Sequence, residues 1–198
     1  MPVFTASNAA AQPAAVGAPA PASSAPQAAS GDLAAVMQLL AGRRHGRVDF
    51  VEQHFLSVLK RPVESLGVMT YDAPGRLEKR TLEPRPENLL LDGGQLTIER
   101  KGRTRVLDIA AYPSISPFVE SLRATLAGDL PALERLFEVD FAGSVERWTL
   151  RLTPRDQKVA KTVTRIEIDG SRDALYKVEI SEAGGDRSRM TLRDHPGP

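Results

Sequence analysis

The chain has 198 residues, enough for one domain with a substantial core, and its 26 Lys+Arg against 25 Asp+Glu leave almost no net charge. That balance excludes the broad positive field of a nucleic-acid binder, and 5% aromatic residues leave little stacking surface for bases or sugars. The absence of cysteine removes a disulfide framework, a thiol nucleophile and a lipid-anchoring Cys, and fits an oxidising compartment.

No window is apolar for long enough to span a bilayer as a helix. The first residues, MPVFTASNAAAQPAA, lack the basic start and continuous apolar run of a secretory signal. Residues 1–30 are Ala, Pro, Ser, Gln and Gly without charge or period, and Pro13, Pro19, Pro21 and Pro26 interrupt any helix. This composition predicts a disordered tail over 1–30 and one folded domain over 31–194. Tails of this kind often follow a removed signal, which points to export.

Ser30 or Asp32 can cap a helix over Leu33 to Leu40, closed by Gly42 and the basic run Arg43, Arg44, His45 and Arg47. Val48, Val51, Phe55 and Leu59 lie at helical spacing and predict a second helix, stopped by Pro62. The period then changes to alternation. Leu66 and Val68 mark one strand and Leu77 to Leu82 the next. In PENLLLDGGQLTIER, Asp92-Gly93-Gly94 supplies the positive-φ positions of a hairpin turn. Leu89 and Leu91 share a face on one side of it, and Leu96 and Ile98 on the other. Arg103 to Ala110 follows.

Pro113 and Pro117 break this meander. Ser114 or Ser116 can start a helix with Phe118, Val119, Leu122 and Leu126 on one stripe, and Gly128-Asp129 turns into another. Alternation resumes at Phe137 to Phe141. Trp148, Leu150 and Leu152 interleave with Arg147, Thr149 and Arg151. Ile166 and Ile168 follow, then Tyr176, Val178 and Ile180, then Met190 and Leu192. The expected architecture is mainly β (α+β): a curved antiparallel half-barrel of about ten strands with a helical lid on its concave face.

This order of elements resembles the periplasmic outer-membrane lipoprotein carrier family of the LolA type, over residues 31–194, as a divergent branch. The landmarks are Phe55, the step Tyr71-Asp-Ala-Pro74 leading to Leu77, Glu83-Pro84 followed by Leu89-Leu-Leu-Asp92-Gly93, and Trp148-Thr-Leu-Arg-Leu-Thr-Pro154. Ala73 stands where the family places an arginine held to latch the lid, with Arg76 nearby. The resemblance implies a periplasmic carrier, with an acylated lipoprotein or other acyl lipid as cargo. It also implies an inner-membrane exporter, an outer-membrane acceptor and no cofactor. A cargo cavity would be lined from Val68, Leu77, Leu89, Leu91, Leu96, Ile98, Phe118, Leu122, Trp148, Leu150, Leu152, Ile166 and Ile168. From the residues alone, Leu89, Leu91, Leu96 and Ile98 are most simply core and Trp148 a packed anchor, while the Phe118 and Leu122 stripe suits either role.

Arg43, Arg44 and Arg47 read as a solvated loop or as a contact for lipid headgroups or an acidic partner. His45, His54 and His195 are too scattered for metal spacing. No nucleophile elbow, phosphate loop or zinc-protease motif is present. The expected form is a monomer without catalytic residues, metal or nucleic-acid partner. A lipid- or peptide-sensing domain and an acyl hydrolase or transferase using an unmarked serine are the alternatives.

Overall fold

A computed structural model describes residues 25–111 and 116–195. Helix α1 (Ala25–Gly42) leads into a six-strand meander: β1 (His45–Phe55), β2 (Val63–Asp72), β3 (Arg76–Glu83), β4 (Glu87–Asp92), β5 (Gln95–Arg100) and β6 (Arg103–Asp108). A helical insertion follows, α2 (Ser116–Leu126) and α3 (Leu130–Leu136). A second meander follows: β7 (Phe137–Ser144), β8 (Arg147–Pro154), β9 (Val163–Ser171), β10 (Ala174–Glu182) and β11 (Arg187–Asp194). A short helix, α4 (Gln157–Ala160), lies between β8 and β9.

All strands form one 11-stranded sheet in the order β6-β5-β4-β3-β2-β1-β11-β10-β9-β8-β7. Every pairing is antiparallel. The two meanders are sewn together where β1 meets β11, with Phe50 opposite Leu192 and Glu52 opposite Met190. A sheet this wide curls under its own twist. The two edge strands, β6 and β7, are consecutive in the chain, so the connection between them carries α2 and α3 from one side of the sheet to the other.

The expected half-barrel with helices on its inner face is therefore the fold observed, with one strand more than the sequence suggests. That strand is β1. Val48, Val51, Phe55 and Leu59 do not form a helix. The buried positions on β1 alternate, with Phe50 and Glu52 inward and Val51 41% exposed. The chance spacing of apolar residues on both faces imitates a helical stripe, and pairing on both sides with β2 and β11 decides the outcome. Phe55 packs outside the core beneath Arg187 and Arg189, 4.5 and 5.7 Å from its ring centre.

Val68 is also corrected. It faces outward beside Arg47, Glu78 and Arg80, while Gly67, Met69 and Tyr71 face inward. The inward position of Gly67 has a steric cause: a Cβ there would lie 2.0 Å from the Arg80 carbonyl oxygen and 2.9 Å from the Phe50 ring. α1 starts at Ala25, so the last residues of the segment expected as tail are helical. Residues 1–24 lie outside the described residues, as does Ser114.

The main core lies between the inner face of the sheet and the helices. Val36, Met37 and Leu40 of α1, Leu122 of α2 and Leu133 of α3 meet Leu150, Leu152, Ile166 and Ile168. Asp129 caps α3 by accepting from the Ala132 amide at 3.0 Å. The outer face of the second meander is wet. Arg151 bridges Asp140 and Glu167, and Lys177 bridges Glu167 and Asp169.

Candidate functional site

The registers of the first meander lay its inward side chains out in rows. Gly46, Tyr71, Leu77, Leu91, Leu96 and Leu107 form one. The next is Val48, Met69, Lys79, Leu89, Ile98 and Arg105, and the third is Phe50, Gly67, Thr81, Glu87, Arg100 and Arg103. The inner surface is thus apolar at the end near α2 and charged at the other.

At the apolar end, Val48, Met69, Tyr71 and Leu77 form one wall of a crevice. Leu175 and Leu192 form the opposite wall, and Leu122 and Leu126 of α2 press in from above. Its volume is about 40 Å³, room for a water but far below the roughly 300–1,000 Å³ of small-molecule sites. The backbone of α2 packs mainly against α1 and α3, and α2 meets the sheet largely through its side chains. Arg43 stands at the crevice mouth, its Nη1 donating to the Asp173 carbonyl at 3.0 Å. Tyr71 is 5% exposed, and its buried hydroxyl has no hydrogen-bond partner among the described residues. Burial raises the Tyr71 pKa, against the lowering charges of Arg123 and Arg44.

Beside the crevice, Leu91, Leu96 and Ile109 form a second, smaller cluster with Leu77, Leu89, Ile98, Leu107 and Val119 around it. Gly93 and Gly94 take φ of 53° and 83°, the hairpin turn expected of them. An open groove runs past this turn, floored by Leu91 and Ile109 and walled by α2 and the Ala73–Gly75 turn. Arg123 of α2 lies against that turn: a Cβ on Gly75 would sit 3.1 Å from the Arg123 Cδ. Its guanidinium is held by Glu120, with Nε donating at 2.9 Å. The cation that meets this turn therefore comes from the helix, whereas Ala73 occupies the strand-side position.

Of the residues expected to line a cavity, Leu77 and Leu122 wall the crevice and Leu91 the groove. Leu89, Leu96 and Ile98 belong to the smaller cluster. Phe118 is half-buried against the main core. Trp148, Leu150, Leu152, Ile166 and Ile168 are packed inside that core and touch neither opening. The sequence reading missed Val48, Met69, Tyr71, Leu175 and Leu192 as crevice residues. Alternation along β2 and β11 was the available signal.

Arg44 is exposed, its carbonyl accepting from the Ala73 amide at 2.9 Å, and Arg47 is exposed on the outer side of β1. His45 pairs with Asp72 and His195 with Asp49. No group of three or more His, Asp or Glu that could hold a metal occurs among the described residues.

Near the charged end, Glu52 is buried. It accepts from Lys79 and from Ser188 Oγ at 2.9 Å, and His54 Nε2 is 3.3 Å away. Burial pushes the Glu52 carboxyl up, but His54 and Lys79 together outweigh it and bring the pKa to about 2. Its hydrogen bond to His54 raises the imidazole in turn.

The family model described as outer membrane lipoprotein carrier protein, LolA-like, matches residues 24–194. The chain belongs to this LolA-like family. No curated protein matches it in sequence. Among solved structures it is similar to a LolA superfamily protein of Nitrosomonas europaea, with 11% identity, 86% of this chain and 95% of that one covered, and a TM-score of 0.45. A chain of the Pseudomonas aeruginosa MucA/MucB complex shares 14% identity over 84% of this chain and 58% of that one, TM-score 0.45. Lipoprotein LppX of Mycobacterium tuberculosis shares 11% over 84% and 97%, TM-score 0.43. No helix among the described residues is long and apolar enough to cross a membrane.

Proposed function

We propose that this LolA-like protein is a periplasmic carrier that buries acyl chains of a lipoprotein or another lipidated cargo between α2 and the inner face of the first meander. The observation that carries the reading is the crevice with apolar walls, covered on one side by Leu122 and Leu126 of a helix whose backbone packs on other helices. As it stands, the crevice is too narrow for an acyl chain. Lifting α2 joins it, through Leu77, to the smaller cluster at Leu91 and Leu96. A chain of sixteen carbons transferred there gains roughly ten kcal/mol before ordering costs. Opening exposes that surface again, and a second apolar acceptor recovers the gain. No nucleotide is consumed by this step in the protein itself.

Neither serine nor histidine lines the crevice, which disfavours an acyl hydrolase or transferase working there. Leader, exporter and acceptor belong to the same reading. The test is native mass spectrometry of the protein purified from its native host, followed by binding of a fluorescent acyl probe to wild type and Leu122→Asn. Co-purified acyl lipid, and probe binding lost in a variant that still folds, support the carrier. A wild type that binds neither lipid nor probe overturns it.

A further inference from the structure

An orphaned hydroxyl in a crevice whose walls are apolar, with Arg43 at its mouth, calls for a partner. Tyr71 is 5% exposed, its oxygen is buried, and no protein group accepts its proton among the described residues. Leaving such a group unpaired is costly, and phenylalanine would fill the same space without that cost. A water is a poor solution, because it needs two to four polar partners and, apart from Arg43 at the mouth, the surrounding walls are Val48, Met69, Leu77, Leu122 and Leu192. The charges that bear on the hydroxyl are the cations of Arg123 and Arg44, so the surroundings favour an acceptor. Arg123 is itself on α2, the element that must move to admit a ligand.

We propose that the Tyr71 hydroxyl is the polar anchor of the crevice, donating a hydrogen bond to the carbonyl oxygen of a bound acyl ester or amide. This rests on the carrier reading and adds a ligand class to it. The crevice recognises an acyl group by its carbonyl, while the alkyl chain follows the Leu77, Leu91 and Leu96 row. A pure hydrocarbon or ether chain satisfies the walls and leaves the hydroxyl unpaired.

The experiment compares 1-monopalmitoylglycerol with 1-O-hexadecylglycerol, which has a chain of the same length without the carbonyl. Each displaces a fluorescent apolar probe from wild type and from Tyr71→Phe, and palmitate is run in parallel. Wild type is expected to bind the ester about tenfold more tightly than the ether. Tyr71→Phe should bind both alike, by weakening for the ester alone, with its thermal midpoint unchanged or raised. A wild type that does not distinguish ester from ether overturns the proposal while leaving the carrier intact. So does a Tyr71→Phe variant that keeps the preference. Palmitate bound much more tightly than the ester assigns the site to free carboxylates and overturns the ester assignment. If neither glycerolipid displaces the probe, the carrier reading fails and this proposal with it.

Discussion

The indole ring of Trp148 lies on the Cα of Gly170, its partner across the β8–β9 pair, with the indole nitrogen donating to the Arg172 carbonyl at 3.1 Å. A Cβ on Gly170 would come within 2.0 Å of the ring. The ring cannot retreat, because Trp148 is fully buried and tethered at its nitrogen. Gly170→Ala should therefore cost about 3 kcal/mol, at the upper end for an overpacked core. Urea unfolding measures it, and a loss below about 1 kcal/mol would mean that the core around Trp148 is loose.

Glu52 should give the protein an acid-sensitive interior. Its folded-state pKa of about 2 lies below the ordinary 4.5, so the ionised form stabilises the fold above about pH 5. That contribution fades as pH falls through 4.5 towards 2. Its size is about 2–3 kcal/mol. Glu52→Gln should flatten the stability curve over this range. Denaturant midpoints from pH 2 to 7 check it, and parallel curves for the two proteins would exclude a role for Glu52. His54, raised by its bond to Glu52, acts in the opposite sense: its contribution is present below 6.5 and lost as pH rises through the raised value.

Arg123 is the side chain through which α2 grips the turn at Gly75. Its partner Glu120 is on the same helix, so removing Arg123 severs helix from turn without stranding a charge in the core. Arg123→Ala should change stability by less than about 1 kcal/mol, as expected for a partly exposed ion pair within one helix. On the proposed function it should speed uptake and release of an acyl probe severalfold. Stopped-flow traces identical to wild type would show that α2 is not held there.

The turn between α2 and α3 offers a graded pair. Gly128 has φ of 65°, and a Cβ on it would be 2.1 Å from the Met37 carbonyl oxygen of α1. Gly128→Ala should lose about 3 kcal/mol or more, combining strain with collision. Asp129→Ala, which removes only the cap on α3, should lose about 1 kcal/mol. Thermal unfolding of both variants tests the ranking, and the reverse order would place the weak point in α3 itself.

The strands that alternate cleanly were legible in the sequence. Trp148, Leu150 and Leu152 point inward and Arg147, Thr149 and Arg151 outward, as their spacing demands. The hairpin at Gly93 and the turn at Gly128-Asp129 were equally plain, because turn chemistry is local. β1 was not legible. Its inward row ends in Glu52 and His54 and its outward row holds Val51 and Phe55, so polarity does not mark the faces. Pairing with β2 on one side and, at long range, with β11 on the other fixes them. The crevice was hidden for a related reason. An inward leucine looks the same in sequence whether a helix packs on it, as at Leu150, or merely rests on it, as at Leu77.

The seam between β1 and β11 has a consequence for synthesis. Of the strands in this sheet, the one made after all the others is its keystone, because Arg187–Asp194 pairs with both β1 and β10. Until it arrives, each meander is a half-shell with an open edge at its centre. Those two edges, not the outer ones, are where a nascent or truncated chain is most exposed to strand exchange and aggregation.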